Sequence, residues 1–534
     1  MEKKESDIES LFEPQSIAVV GASQDPRKLG YRVLENIVHG GYQNPVYPIN
    51  PRGGAILGVP VFPELEAVDR CIDTAVIVIP AAFVFESIRS CAAKGVKHAV
   101  IITSGFAEVG NSEEEKKIAS YARDHGVRIL GPNIFGIYSA AASLNATFST
   151  GVVTPGTIAI ITQSGALGAS MIGKTAVENM GVSAMVSVGN KADIDESDLL
   201  EYLLGQERTK VILMYIEGVR NGERLLGTLT TATRAKPVIV IKAGRSAKGA
   251  VAAASHTGSL AGSDEVFDDL MKQCGAIRAE TINEAFKWCR FLSHNPLPKG
   301  DHTVIITNGG GIGVMCADAC EKYGVPLYDD PAALGETYAD VVPEFGSKKN
   351  PIDLTGQATT AAFDDALTAA GKSADTDAVI ALACEVAVFD PENLSHLIEK
   401  HCREYKRNGK ALAFSFVGGE RMEHCIRTYS AQGYPVFGDV YEAVSCVGAL
   451  YSYHRYLSRR PDEEVTADID LARIDETVRG VLVDKRNFVL SDEAREIMDA
   501  ARIPMPTGRI AHSLDEAIQH SEEIGFPVVM KVVS

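Results

Sequence analysis

IAIITQSGALGASMIGKTAVENMGV, residues 158–182, carries the reading that decides the fold. Four apolar residues run without a polar break, which marks a strand buried on both faces rather than one. Thr-Gln-Ser-Gly then turns the chain into a helical pattern that ends at Gly-Val. A second stretch, VIITNGGGIGVMCADACEKYGV (304–325), repeats the plan. Thr162, Gly165 and Gly168 match Thr307, Gly310 and Gly313 at one offset. Two related three-layer α/β domains in tandem are therefore expected, each with a phosphate-friendly turn at a helix start.

The same alternation extends outward. SIAVVGAS (16–23), TAVIVIP (74–80), HAVIITSG (98–105), VILMYIEG (211–218), PVIVIKAG (237–244) and AVIALACE (378–385) are apolar runs separated by helical patterns. Buried parallel strands with helices on each side give a multidomain, doubly wound α/β architecture. Composition places the boundaries. Residues 1–150 form a first Rossmann-like domain, 151–295 and 301–457 the tandem flavodoxin-like pair, and the charged stretch around 458–475 a linker. In 476–534 a helix at LSDEAREIMDAARI (490–503), a short strand, a helix and a final strand GFPVVMKVVS (525–534) are expected. The sequence stops while that strand is still running, so this segment is expected to be the opening of a larger module.

The 534 residues are 46% hydrophobic and 23% charged, as in ordinary globular cores. A net charge of −18 argues against a broad nucleic-acid surface. It leaves room for a local pocket that takes a phosphorylated ligand. The ten cysteines contain no Cys-x-x-Cys pair, which signals neither a disulfide framework nor a zinc knuckle. Cys316 and Cys320, four apart on a helix, read as small buried apolar groups. The charged N-terminus is no signal peptide, and no apolar run reaches membrane-spanning length. A cytoplasmic protein is expected.

The first glycine turn, VVGASQDPRKLG (19–30), lacks the second and third glycines of a dinucleotide fingerprint, so nicotinamide binding is disfavoured. YPINPRGG (47–54), VIPAAF (78–83), ITSGF (102–106) and GPNIFG (131–136) each follow a strand on the ligand-binding edge. Together with Gly21–Ser23, this series resembles the CoA-binding domain of succinyl-CoA synthetases and the ADP-forming acyl-CoA synthetases. The resemblance implies contacts to CoA from Gly21, Ser23, Arg52, Pro80 and Asn133. It implies that TQSGALG (162–168) cradles a phosphoryl group, with Ser164 and Gly165 as donors at a helix start.

GRSAKGAVAAASHTGSLAGSD (244–264) resembles the family's phosphohistidine loop, which makes His256 the phosphoryl carrier. Glu217, at the end of VILMYIEG, matches the family's partner acid. A neutral imidazole attacks phosphorus, and a carboxylate accepting its other N–H fixes the tautomer and steadies the cation that forms. Small neighbours leave space for the tetrahedral group. TNGGGIG (307–313) and KNPIDLTGQ (349–357) resemble the family's third α/β domain; an anion site at Gly309–Gly311 stays open beside a plain turn. The C-terminal segment resembles the start of an ATP-grasp domain, where Lys531 would meet nucleotide phosphates and the Mg²⁺ carboxylates would lie beyond Ser534.

The resemblance implies a reversible ADP-forming acyl-CoA synthetase of the acetate–CoA ligase type. Its ligands would be CoA, ATP or ADP, phosphate and Mg²⁺, its substrate a small carboxylic acid or acyl-CoA, and its state a homo-oligomer. A CoA-binding regulator related to protein lysine acetyltransferases, or a CoA-binding scaffold without catalysis, remains open on these residues.

Overall fold

The computed structural model describes residues 8–257, 263–390, 393–459 and 468–532, with the backbone alone for 253–257. They fall into two compact units, Met1–Ser458 and Arg459–Ser534.

Three large sheets and a two-stranded one, Ala55–Ile56 with Val59–Pro60, are described in the first unit. The first has five parallel strands in the spatial order Val46–Ile49, Ile17–Val20, Thr74–Ile77, His98–Ile101, Arg128–Leu130. A parallel bridge from Ile49 to Phe62 adds a further edge position. Counting it, the order is the doubly wound one, which reverses direction between Ile17–Val20 and Thr74–Ile77.

The second sheet runs Ile277–Ala279, Val238–Lys242, Val211–Ile216, Pro155–Thr162, Val182–Ser187. The third runs Ile352–Asp353, Thr303–Thr307, Ala378–Cys384, Ala411–Val417, Val436–Phe437. In each, the strand feeding the glycine turn lies between the second and third strands of its domain, so the two share one topology. The repetition reaches single side chains. Lys236 Nζ donates to the carbonyls of Leu203 and Gln206, at the end of helix Glu196–Leu204. Lys410 Nζ does the same with Ala370 and Ser373, at the end of helix Thr360–Lys372.

Strand Pro155–Thr162 shows why its sequence is apolar on both faces. Ile158 and Ile160 join a core that continues into the third domain through Ile305, Ile380 and Leu382. Ala159 and Ile161 face the other way, into a core shared with Ile17, Val19 and Leu34 of the first domain. The middle sheet is thus covered on both sides. Each fully buried isoleucine contributes about 1.5–3 kcal/mol.

One stretch differs from expectation. Residues 136–147, read with the first domain, form an antiparallel hairpin, Gly136–Ser139 and Leu144–Thr147, on the edge of the second sheet. The sequences GIYS and LNAT have no apolar run to announce strands. Their buried polar groups satisfy one another: Thr147 Oγ1 lies 2.8 Å from Asn145 Oδ1 and 3.0 Å from Ser149 Oγ.

The second unit contains helices Leu471–Val483, Ser491–Ala500 and Leu514–Ile524. Arg486 clasps Glu493, whose side chain also accepts from the Leu490 N–H at the helix start. The short strand and the strand expected over 525–534 are not formed among the described residues, which hold no strand in this unit. A strand needs a neighbour to receive its ladder hydrogen bonds, and none is described beside it. Phe526, Val529, Met530 and Val532 accordingly stand exposed. No helix among the described residues is long and apolar enough to cross a membrane.

Candidate active site

Strand order fixes where ligands can enter. At the reversal point of the first sheet, the strand ends diverge and leave a crevice. An open cleft of about 1410 Å³ occupies it. Its walls follow four strand ends, from Gly21 and Ser23 through Asn50 and Arg52 to Pro80 and Thr103. Arg27, Lys28 and Arg52 bring positive charge to the rim of an otherwise acidic chain. Of the five residues expected at CoA, Gly21, Ser23, Arg52 and Pro80 line this cleft.

The incomplete glycine fingerprint has a physical resolution. Gly21 adopts φ +93°, and a Cβ there would meet the Val78 carbonyl at 2.2 Å. The close helix–strand approach, normally given by the third fingerprint glycine, is made by Gly30: a Cβ on it would lie 2.0 Å from Gly21 O. The longer loop between them explains why spacing alone misses the role.

Asn133 is placed elsewhere. Its N–H donates to the Thr103 carbonyl, behind the cleft wall, and its Nδ2 to Asn190 Oδ1 at 3.3 Å. Asn190 Nδ2 in turn reaches Glu108 and Glu115 at 2.6 and 2.8 Å. Burial opposes the charged form of Glu108, but hydrogen bonds from Asn190 and the Gly105 and Phe106 amides outweigh it and hold its pKa below the usual carboxylate range. Asn133 therefore sits between the cleft and the second sheet, where its carbonyl nears the start of helix Gly165–Val177.

That helix start is the second part of the site. Ser164 is its N-cap, and Oγ accepts from the Leu167 N–H at 3.3 Å. The first amides of a helix lack intrahelical partners and carry partial positive charge, which suits an anion. Glu217 ends the adjacent strand Val211–Ile216 and is buried. Parallel pairing of Thr162 with Tyr215 brings the Ser164 turn and Glu217 to the same strand-end crevice of the second sheet. Tyr215, two residues before Glu217 on the same face, hydrogen-bonds to it; burial first, then this acid, pushes the phenol up to about 12.

Gln163 belongs to this site and went unread within the TQSG motif: its Oε1 accepts from the Glu217 and Gly218 N–H groups. Nearby, Lys242 and Lys191 are buried against the same turn. Their parts depend on pairing between distant strands, which no local pattern announces.

His256 falls near the end of helix Ala247–Thr257, which lies beside the Ala107–Val109 turn of the first domain. The His256 side chain and residues 258–262 lie outside the described residues. Lys531 is exposed in the second unit. The third-domain turn repeats the helix start: Gly309 precedes helix Gly310–Tyr323, and the Asp353 carboxylate stands beside Gly310. Cys316 and Cys320 are buried in that helix. Among the described residues no group of three or more His, Cys, Asp or Glu could hold a metal ion.

Family models match four consecutive stretches: the CoA binding domain over 15–140, the succinyl-CoA ligase like flavodoxin domain over 155–292, the ligase-CoA domain over 303–461 and the ATP-grasp domain over 480–534. These fit CoA and an adenine nucleotide as ligands. The alpha subunit of acetate–CoA ligase [ADP-forming] I of Pyrococcus furiosus is 45% identical over 464 residues, 85% of this chain and 100% of its own length. Acetate–CoA ligase [ADP-forming] I of Archaeoglobus fulgidus is 34% identical over 530 residues, 99% of this chain and 75% of that protein. The solved acetyl-coenzyme A synthetase 1 of Ca. Korarchaeum cryptofilum, in complex with phosphate and ADP, superposes with a TM-score of 0.82 at 42% identity. That match covers 85% of this chain and 98% of the other. This chain belongs to the family of ADP-forming acetate–CoA ligases, which are acid–thiol ligases.

Proposed function

We propose that the chain interconverts acyl-CoA, ADP and phosphate with carboxylate, CoA and ATP, using His256 as the phosphoryl carrier and Glu217 as its partner acid. Acetate is the substrate named for both curated relatives above, and acetyl is the acyl group proposed here. CoA lies in the first-sheet cleft, where Arg52 faces its phosphates and Gly21, Ser23 and Pro80 form the wall. Asn133 links that cleft to the helix start.

A phosphate oxygen attacks the thioester carbon, the C–S bond breaks, and CoA leaves as its thiol. An imidazole nitrogen of His256 then attacks phosphorus, the acyl oxygen–phosphorus bond breaks, and the carboxylate departs. Glu217 accepts the remaining ring N–H, which keeps the attacking nitrogen unprotonated and balances the cation. Ser164 and Gly165 donate to the phosphoryl oxygens at the helix start. Transfer from phosphohistidine to ADP falls to the ATP-grasp segment, where Lys531 faces nucleotide phosphates and Mg²⁺ accompanies the nucleotide.

The observation carrying this reading is the pairing of the Ser164 turn with Glu217 at one strand-end crevice. All ten cysteines are free thiols. They support a reducing compartment, the cytoplasm. Domains at 1–150, 151–295 and 301–457 followed by an ATP-grasp segment, and assembly as a homo-oligomer, complete the proposal. Intact-mass measurement after incubation with acetyl phosphate tests it. The wild type gains one acid-labile phosphoryl group and His256→Asn gains none. A phosphorylated His256→Asn variant, or an unlabelled wild type, overturns the assignment.

A further inference from the structure

The turn Glu217–Gly218 is held with unusual completeness. Its two N–H groups both donate to Gln163 Oε1, at 2.8 and 3.0 Å. The Glu217 carbonyl accepts from Lys242 Nζ at 2.8 Å, and the Gly218 carbonyl from Lys191 Nζ at 2.6 Å. Three side chains thus take up all four polar backbone atoms of two residues. Gln163 does so from inside the Thr162–Gly165 turn, so the helix start and the acid are tied to each other by one amide.

Both ammonium groups are buried, Lys242 at 6% exposure and Lys191 at 2%. Lys191 is paired with buried Glu196 at 2.9 Å. Lys242 spends its other hydrogen bond on the Ala243 carbonyl. Asp264 attracts Lys242 and the Phe267 ring lies 5.8 Å away, yet taking a cation out of water inside a central strand, with no described carboxylate in contact, is costly. A residue kept on such terms calls for a reason beyond packing.

The third domain is an internal control. There Thr307 pairs with Leu382 as Thr162 pairs with Tyr215, so Cys384 stands in the place of Glu217. Asn308 does what Gln163 does: it accepts from the Cys384 N–H at 2.7 Å and donates to the Cys384 carbonyl at 2.9 Å. Lys242 lies opposite Ile216. Its counterpart, opposite Ala383, is Phe416, which is fully buried. The fold accepts an apolar ring at this position in the copy that has no acid, and carries a lysine in the copy that has one.

We infer that Gln163, Lys191 and Lys242 are positioning residues for Glu217, fixing its backbone so that its carboxylate meets the phosphoryl-carrying imidazole. The inference rests on the reading that Glu217 serves His256. The amide sets the distance between acid and helix start. The two cations lock the turn through its two carbonyls. The arrangement is bought with stability, a common feature of preorganised sites.

Lys242→Met and Gln163→Met test this in the full chain, with acetyl-CoA, phosphate and ADP for turnover and acetyl phosphate for phosphoenzyme formation. A displacement of about 1 Å at a reacting group can cost roughly a hundredfold. Phosphoenzyme formation is therefore expected to slow by about ten- to a hundredfold in both variants. KM for CoA stays unchanged, because the cleft belongs to another sheet. For Lys242→Met the thermal midpoint stays level or rises, since a buried charge is removed where Phe416 shows an apolar group fits. Full-rate phosphorylation in both variants overturns the inference. So does a lowered midpoint with unchanged activity per folded molecule, which is what a merely structural role predicts. An unphosphorylated wild type would instead fell the underlying His256 reading, and is seen before any variant is made.

Discussion

Phe135 lies directly over Gly168: a Cβ built on the glycine would come within 2.5 Å of the ring's Cε1. The contact joins the loop leaving the first sheet to the first turn of helix Gly165–Val177. Gly168→Ala forces the fully buried ring or the helix to move, and overpacking of this kind costs about 1–3 kcal/mol. A lowered thermal midpoint and slower phosphoenzyme formation are expected together. At Gly165 the nearest atom to such a Cβ is 3.5 Å away, an ordinary contact. Gly165→Ala is expected to leave the midpoint almost unchanged, as differential scanning fluorimetry on the pair can check.

Glu217→Gln removes the charge and keeps the size, replacing one acceptor oxygen by an amide donor. The residue is buried at a held turn, so the midpoint is expected to move little. Losing the acid that steadies an imidazolium costs about 10²–10⁴-fold in related acid–base chemistry. A fall of that order in single-turnover phosphorylation is the expected result, and an unchanged rate removes Glu217 from the mechanism.

Arg52 reaches the cleft from an exposed loop. One charge-assisted hydrogen bond to a phosphate contributes about 1.5–3 kcal/mol. Arg52→Ala is expected to raise KM for CoA about tenfold or more, with phosphorylation by acetyl phosphate unaffected. The gap between variant and wild type narrows as salt screens the charge. Steady-state kinetics at two ionic strengths measures both effects.

His401 is fully buried in the third domain, with Nε2 2.6 Å from Asp364 Oδ1; Nδ1 has no hydrogen-bond partner among the described residues, and Glu404 Oε2 lies 3.9 Å from it. Burial lowers its pKa, and neighbouring Lys400 adds to this, while Asp364 and Glu404 pull the other way. The folded state therefore binds fewer protons than the unfolded chain below the ordinary imidazole value. Its contribution to stability is complete above about pH 6.5 and is lost as pH falls through the depressed folded value. The wild-type midpoint is expected to drop more steeply than that of His401→Gln between about pH 7 and 5. Parallel curves would show that His401 does not titrate there.

Much of the fold was legible because the second sheet is buried on both faces. Ile158 to Ile161 could be written apolar throughout only if each alternate residue met a separate core, as they do. The hairpin at 136–147 escaped because buried Asn145, Thr147 and Ser149 satisfy one another and imitate a loop in sequence. FPVVMKV (526–532) misled in the opposite sense, since strand propensity without a described neighbouring ladder makes no strand there. In the site, Ser164 and Glu217 were readable as strand-end residues with chemical character. Gln163, Lys191 and Lys242 were not, because their partners lie 25 to 55 residues away and are assigned by register between strands. Asn133 was readable as a strand-end residue, but which side of the cleft wall it occupies depends on how two domains pack.

The middle sheet carries its own helices on both faces, Glu196–Leu204 and Gly222–Ala235 on one, Gly165–Val177 and Ile282–His294 on the other. The two cores they close run on into the domain before and the domain after. Prying off either neighbour wets apolar surface the two share, so heat or denaturant is expected to meet Met1–Ser458 as one body.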